Sequence, residues 1–458
     1  MRKTIFVTAV LALLATATAG RLAAQETPSL SVPGRGAEYM PGQLVVKFRD
    51  GVDDARVASL LSRTGARDAT RSRYVRGLHV VGLPEGQPVT GAVERFAALP
   101  DVEWAEPNYL RRLSFTPNDP LFRFQWNFRL IGAERIWDIQ KGQSNVTVAV
   151  LDSGVASVDK PSFLLNVLFT DGSRRTVTVG PFRRAPDWGS TAFAAGHDAV
   201  LGLDFAWDDD GHGTHVASTI AESADNAVGM AGLAFGVTLM PIKVCISLPY
   251  VDPDFEVCPS AAIAEGIDHA RANGAKVINM SLGGPVSARV ERDAVARAAG
   301  ANIVLVAASG NEDGPVGFPA AFDEVIAVGA VNARRQKAFY SNFGPELDLV
   351  APGGDSREDV DGDGFPDFVF QQTLDARDAA AGRYDNFGYF GKIGTSMAAP
   401  HVAAAAALLI SQGITSAQAV RRALEQTADD LGASGRDDRF GHGLINPAKA
   451  LSGLGLNQ

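Results

Sequence analysis

Hydrophobic and polar positions change their period twice along this 458-residue chain. The opening Met1-Arg2-Lys3 leads into an apolar run over 5–17 and then into small residues. Between 42 and 107, the stretches 43–48, 77–83 and 102–105 have strand character, while 55–64 and 89–99 place apolar residues at helical spacing. Strand, helix, strand, helix, strand in that order predicts a compact α+β antiparallel sandwich. From 146 onward the pattern is different. The stretches 146–151, 276–280, 302–307 and 325–331 are short, β-branched and nearly uncharged, as strands buried on both faces must be. Helical spacing over 260–273 and 288–299 separates them, which predicts an α/β fold: a parallel sheet with helices on both faces. In such a fold the functional side chains gather at the carboxyl ends of the strands. Three segments, 156–205, 248–259 and 353–390, fit neither period and are expected to be loops or insertions.

Composition narrows the class. A hydrophobic share of 46% with 21% charged residues is ordinary for a soluble globular protein with a sizeable core. The basic start, short apolar run and small residues predict a secretory signal over 1–24, cut after Ala19 or Ala24. No later stretch is long and uncharged enough to cross a bilayer, so no membrane partner is expected. Residues 114–458 hold 27 basic against 41 acidic side chains. That surface argues against nucleic acid, which needs clustered Lys and Arg, and suits divalent cations. Cys245 and Cys258 are the two cysteines, and export to an oxidising compartment predicts that they pair; the alternative is two separate thiols.

Four motifs carry chemistry. Gly394-Thr395-Ser396-Met397-Ala398-Ala399-Pro400-His401 presents a serine where a glycine turn enters an alanine-rich helix. A hydroxyl reacts only if a base takes its proton and donors await the charge that develops on the substrate. His212, in Asp210-Gly211-His212-Gly213-Thr214-His215, starts a helical run between glycines that allow close backbone approach, and is the candidate base. Asp152 ends the buried strand Val148-Ala149-Val150-Leu151, where a carboxylate can orient an imidazole. Asn311, after Ala308-Ser309-Gly310, ends another strand with a side-chain amide available to an oxyanion. His215 is expected to be a packed, hydrogen-bonded histidine, and Asp208-Asp209-Asp210 a solvated charge run.

The order Asp, His, Ser, with an Asn between the last two, resembles the subtilisin-like serine proteases. The likeness covers about 126–451 and includes Ser281-Leu282-Gly283-Gly284 and Gly441-His442-Gly443-Leu444-Ile445-Asn446. It implies a serine endopeptidase in which Asp152 orients His212, His212 deprotonates Ser396, and Asn311 with the Ser396 amide holds the oxyanion. It further implies that Ser281, Leu282 and Gly283 pair with substrate backbone, that Gly310 lines the same cleft, and that Gly317 floors a pocket for large apolar residues. Residues 25–113 resemble the family's inhibitory propeptides, so the chain's own propeptide is an expected intramolecular partner, cut off between 108 and 120, ahead of a catalytic domain over 114–458. A secreted, monomeric enzyme acting on proteins or peptides follows, broad in specificity; the alternative is a processing protease with narrow substrates.

One motif stands apart from that chemistry. Asp359, Asp361, Asp363 and Asp367 alternate around Gly362 and Gly364 like the first half of a calcium loop. The twelfth position is Phe370 where a bidentate Glu is usual. A structural Ca2+ is expected there, the alternative being a solvated acidic turn; no catalytic cofactor is expected.

Overall fold

The computed structural model describes residues 39–66, 68–110, 115–168, 174–247 and 256–453. The expected signal over 1–24, and residues 111–114 within the expected cleavage region, lie outside the described residues. Two compact units emerge, Met1–Leu113 and Ser114–Gln458.

The first unit runs β1 (Tyr39–Phe48), α1 (Asp54–Thr64), β2 (Asp68–Arg71), β3 (Leu78–Gly82), α2 (Val89–Ala97) and β4 (Val102–Tyr109). Its sheet has the order β2-β3-β1-β4 and is antiparallel throughout. Alternation in β1 turns Leu44, Val46 and Phe48 inward, and Val57, Leu60 and Phe96 of the helices complete the core. Helix α1 starts where Asp53 accepts the Arg56 amide and stops at Gly65 in the left-handed region (φ 74°). Strand β2, Asp-Ala-Thr-Arg, carries no apolar period and was not expected; it forms by backbone pairing along β3.

The second unit begins with α3 (Trp126–Leu130) and α4 (Ala133–Trp137), then β5 (Thr147–Asp152), the hairpin β6 (Phe163–Leu168) and β7 (Arg174–Val179), the two-residue strands β8 (Ala192–Phe193) and β9 (His197–Asp198), and α5 (His212–Ala221). There follow β10 (Thr238–Lys243), a ribbon of β11 (Ile246–Ser247) and β12 (Glu256–Val257), α6 (Ser260–Ala272), β13 (Val277–Met280), α7 (Arg289–Gly300), β14 (Val304–Ala308), β15 (Val325–Val331) and β16 (Leu349–Pro352). A second hairpin, β17 (Val369–Leu374) and β18 (Phe387–Lys392), encloses α8 (Ala376–Ala379), ahead of α9 (Thr395–Ser411), α10 (Ala417–Thr427) and α11 (Pro447–Leu451).

The large sheet has the order β16-β15-β14-β13-β5-β10-β8, with β9 also on β10, and every pairing in it is parallel. Helices α6 and α7 pack together on one side; α5 and α10 pack on α9, which crosses β13 to β16. Nearly every residue of α9 is buried, which explains its alanines: a helix enclosed on all sides has room only for small apolar side chains. The α/β reading therefore holds, with helices covering both faces.

Strand β10 was not among the expected strands, and it contains Pro241, which lacks an amide to donate within a sheet. The structure resolves the conflict. Along the outer edge of β10, Thr238 and Leu239 pair with β8, and Ile242 and Lys243 with β9, so Pro241 falls in the gap where no amide is needed. The segments 156–205 and 353–390 also depart from expectation, since each contains a two-stranded ribbon in place of a plain loop. They form a separate apolar cluster together: Phe163 and Phe182 from one meet Leu374 and Tyr384 from the other, with Trp207 packed among them and the Phe182 and Tyr384 rings stacked 5.4 Å apart. Cys245 and Cys258 are joined as a disulfide.

Candidate active site

The carboxyl ends of β5, β13 and β14 meet the first turns of α5 and α9. Asp152 is the last residue of β5, buried, and its Oδ1 accepts the Ser153 amide at 2.8 Å. His212 is the first residue of α5. Gly211 turns the chain into that helix with φ 91°, and a Cβ on Gly213 would collide with the Gly154 carbonyl, so small residues on both sides let the imidazole close on the strand end. His212 Nδ1 lies 2.7 Å from Asp152 Oδ1. Burial pushes this imidazole down, but the charge and hydrogen bond of Asp152 outweigh it, and the net effect is a pKa above the ordinary histidine value.

Asp208, Asp209 and Asp210 support this junction, and the expectation of a solvated run is wrong for the first two, which are buried. Asp208 accepts from the Ser153 hydroxyl and from the amides of Asp210, Gly211 and Thr214. Asp209 pairs at 2.8 Å with Lys243, and neither side chain is exposed at all; the same ammonium donates to the Ser153 carbonyl at 2.6 Å. Asp210 is only half-buried; it accepts the His212 amide at 2.9 Å and faces Lys392 at 3.8 Å. A carboxylate can leave water when it acquires a cation or several N–H donors, and the first two have done so.

Ser396 lies in the first turn of α9, which begins at Gly394 (φ 149°). Its hydroxyl donates to the Ser281 carbonyl at 3.2 Å, while the Ser281 hydroxyl donates back to the Ser396 carbonyl at 2.8 Å. The start of α9 is thus fastened to the end of β13. Asn311 follows β14; its Oδ1 accepts from the Thr395 amide (2.9 Å) and hydroxyl (3.0 Å), which leaves Nδ2 as the end of the amide turned away from Thr395. Leu282, Gly283, Gly310, Asn311, Gly317 and Ser396 come together around a cleft of about 460 Å³. Two walls of that cleft are tied by paired hydrogen bonds between Gly284 and Phe318, at 2.8 and 2.9 Å. A Cβ on Gly317 would press on the Gly284 carbonyl at 3.1 Å. Ser281 stands behind the cleft, bonded to Ser396.

Two further histidines are buried and neutral. His215 Nε2 donates to the carbonyls of Val369 (3.0 Å) and Phe390 (3.2 Å), and burial pushes its pKa down to about 3; this is the packed histidine the sequence suggested. His401, which the sequence did not single out, sits between the Met397 carbonyl and Asn127, pushed down to about 4 by burial.

In the acidic loop, Asp359, Asp361 and Asp363 offer carboxylate oxygens within 4.8 Å of one another. Asp359 accepts the amides of Gly362 and Gly364, and Asp361 meets Arg129 at 2.6 Å. Asp367 is outside that group of three. It is buried, and its carboxylate accepts the Val360 amide. Burial raises its pKa, the Val360 bond opposes this, and the neighbouring aspartates raise it further. A second acidic set escaped sequence reasoning: Asp119 and Asp187 are buried and accept amides of Asp225, Asn226 and Met230, with Glu222 buried beside them. Only the Asn-Asp-Pro string at 118–120 hinted at it.

Comparison with known proteins gives the class. A family model described as the subtilase family matches residues 143–443, and one described as the fervidolysin N-terminal prodomain matches 25–108. The chain is 31% identical over 431 residues to a thermophilic serine proteinase of Bacillus sp. (strain AK1), covering 92% of this chain and 90% of that one. It is 38% identical over 427 residues to subtilisin J of Geobacillus stearothermophilus, covering 91% and 92%. Among solved structures, a protease from Pseudoalteromonas arctica superposes with a TM-score of 0.59 at 26% identity, covering 74% of this chain and 99% of that one. The chain belongs to the subtilase family: it is a serine protease that carries an N-terminal prodomain.

Proposed function

We propose that Asp152, His212 and Ser396 form the hydrolytic triad of an endopeptidase. The observation that carries this is the 2.7 Å bond between Asp152 and His212 Nδ1, at the same strand ends where Ser396 opens α9. Asp152 holds the tautomer with the proton on Nδ1, which frees Nε2 to act as base. To react, the Ser396 hydroxyl has to give up the Ser281 carbonyl and donate to that nitrogen. Ser396 then attacks the peptide carbonyl, Asn311 Nδ2 and the Ser396 amide receive the oxyanion, the C–N bond breaks as His212 passes its proton to the leaving amine, and water deprotonated by His212 displaces Ser396 from the acyl group, the proton returning to the Ser396 oxygen. Substrate backbone adds as a strand along 281–283, and the Gly317 floor favours a large apolar side chain before the scissile bond. The pairing within one protein of a protease domain and a prodomain supports synthesis as a zymogen, with the prodomain over 25–113 as inhibitor and self-cleavage between 108 and 120. Export through the segment 1–24 fits the disulfide.

Asp359, Asp361 and Asp363 would hold the calcium ion. Their all-oxygen donor set suits it, and the ion's charge would relieve repulsion among three acids, of which Arg129 now compensates one. A narrow-specificity processing enzyme is the second reading. It is favoured by the aromatic cluster that locks the two insertions together beside Asp208.

Labelling with a serine-directed fluorophosphonate tests the triad. The expected result is one modified peptide, containing Ser396, lost in Ser396→Ala and much slowed in His212→Ala. Full labelling of Ser396→Ala would sink the reading. Cleavage-site profiling on denatured protein mixtures separates broad from narrow specificity.

A further inference from the structure

The backbone segment 282–285 borders two cavities. One is the cleft beside Ser396. The other encloses about 180 Å³ and is lined by Cys258, Ser260, Ile263, Leu282, Phe318 and Glu291. At ~30 Å³ for each water of the liquid, that volume is about six waters, enough for one long side chain.

Glu291 is the unusual member of this lining. It lies in the first turn of α7, where an acid commonly faces solvent, yet it is only 5% exposed. Its carboxyl shares a hydrogen bond with the Ser260 side chain, and burial pushes its pKa up. Among the described residues no Lys or Arg pairs with it. Arg289 is turned outward toward Asp293 at 3.9 Å, and the Arg292 guanidinium lies over the Phe322 ring at 5.1 Å. The remaining lining is apolar side chains, a disulfide cysteine, the Ser260 hydroxyl and the backbone of Gly283 and Gly284, with no cationic side chain among them. A carboxylate withdrawn from water into such a place lacks a cation, and a substrate side chain is the group that can bring one.

The placement fits an extended substrate. A strand laid along 281–283 turns successive side chains to opposite faces. If one enters the cleft at Ser396, a residue further upstream reaches the cavity across Leu282 and Gly283.

We propose that the second cavity is a subsite for a positively charged side chain, and that Glu291 is the specificity-determining residue that selects Lys or Arg upstream of the scissile bond. The proposal rests on the protease reading of the Ser396 cleft and deepens it.

Fluorogenic peptides with Phe fixed before the scissile bond, and each of the three upstream positions set in turn to Arg, Lys, Leu or Glu, test it in the wild type, Glu291→Gln and Glu291→Leu. The quantity read is the ratio of kcat/KM for Arg over Leu and over Glu within each form, so that a general change in activity cancels; fluorophosphonate titration counts the folded sites. At one upstream position the wild type should favour Arg over Glu by roughly thirtyfold or more. Glu291→Gln should bring that ratio close to one, and Glu291→Leu should favour Leu. Equal ratios in all three forms, or a wild type that prefers Leu or Glu at every position, overturn the assignment. Failure of the wild type on every peptide, together with no fluorophosphonate labelling, overturns the protease reading beneath it.

Discussion

Asp208, Asp209 and Asp210 precede the candidate base, and Asp359, Asp361 and Asp363 lie in an exposed loop. On paper they are alike: three aspartates in a short span. In the fold, Asp208 and Asp209 are buried with amide, hydroxyl and ammonium partners, while two of the second three are exposed and turn mainly on their own loop amides. The difference shows what a run of acids means. A carboxylate goes inside when a partner elsewhere in the sequence waits for it, here Lys243, 34 residues away from Asp209. When the distant partner is itself at the surface, as Arg129 is for Asp361, the carboxylate stays there too, where an ion can still be recruited. Local composition does not separate these cases.

The largest effect should come from breaking the buried pair. Asp209→Ala leaves the Lys243 ammonium without its counter-charge in a site closed to water, which costs about 3–5 kcal/mol. Asp363→Ala, in the exposed loop, should cost within about 0.5 kcal/mol in the presence of chelator. Urea unfolding of both variants, in a Ser396→Ala background that prevents autolysis, measures the contrast. Equal losses would remove the distinction between the two sets.

A smaller effect concerns pH. Neutral His212 is the form that can accept a proton, and its pKa is raised. The acid limb of kcat/KM should therefore have its midpoint above the usual histidine value of about 6.5, with activity lost as pH falls through it. Asp210 contributes to that elevation and Lys392 opposes it. Asp210→Asn should move the limb to lower pH by a fraction of a unit, whereas Asp359→Asn should leave it in place. A pH–rate profile in which both variants shift alike would show that the loop acids also act on the imidazole.

Much of this architecture could be read in advance, for physical reasons. The uncharged β-branched runs at 147–151, 277–280, 304–308 and 325–331 are almost wholly buried, so period and composition agree. Asp152 ends a strand, Asn311 follows one, and His212 and Ser396 lie in the first turns of helices, in strings whose glycines mark close approach, and the structure brings Asp152 to His212 and Asn311 to Thr395. What stayed hidden was long-range. The hairpins in 156–205 and 353–390 owe their order to each other through Phe182 and Tyr384, and neither segment reveals the other in its own pattern. Strand β10, with Pro241 inside it, is possible because the gap between β8 and β9 leaves that position without a partner on that edge, and no local pattern shows that gap. Glu291 looked like any acid in the first turn of a helix; only the fold puts a cavity in front of it.

Calcium should give the smallest effect and the finest resolution of the comparison. An ion held by Asp359, Asp361 and Asp363 stabilises only in proportion to its occupancy, by about 2.7 kcal/mol at a hundred times its dissociation constant. For a chain of this size each kcal/mol moves Tm by about 1–2 °C. The Ser396→Ala protein should therefore melt a few degrees higher in millimolar calcium than in chelator, and Asp363→Asn should lose most of that difference. Arg129 supplies a sharper sign. Its guanidinium occupies Asp361 at 2.6 Å and competes with the ion for that carboxylate, so Arg129→Gln should lower Tm slightly in chelator yet widen the calcium-dependent rise. If Arg129→Gln narrows the rise instead, the guanidinium is a support of the loop and not a competitor. If none of the three proteins responds to calcium, the loop is a solvated acidic turn, and both sets of aspartates are then explained by protein partners and water alone.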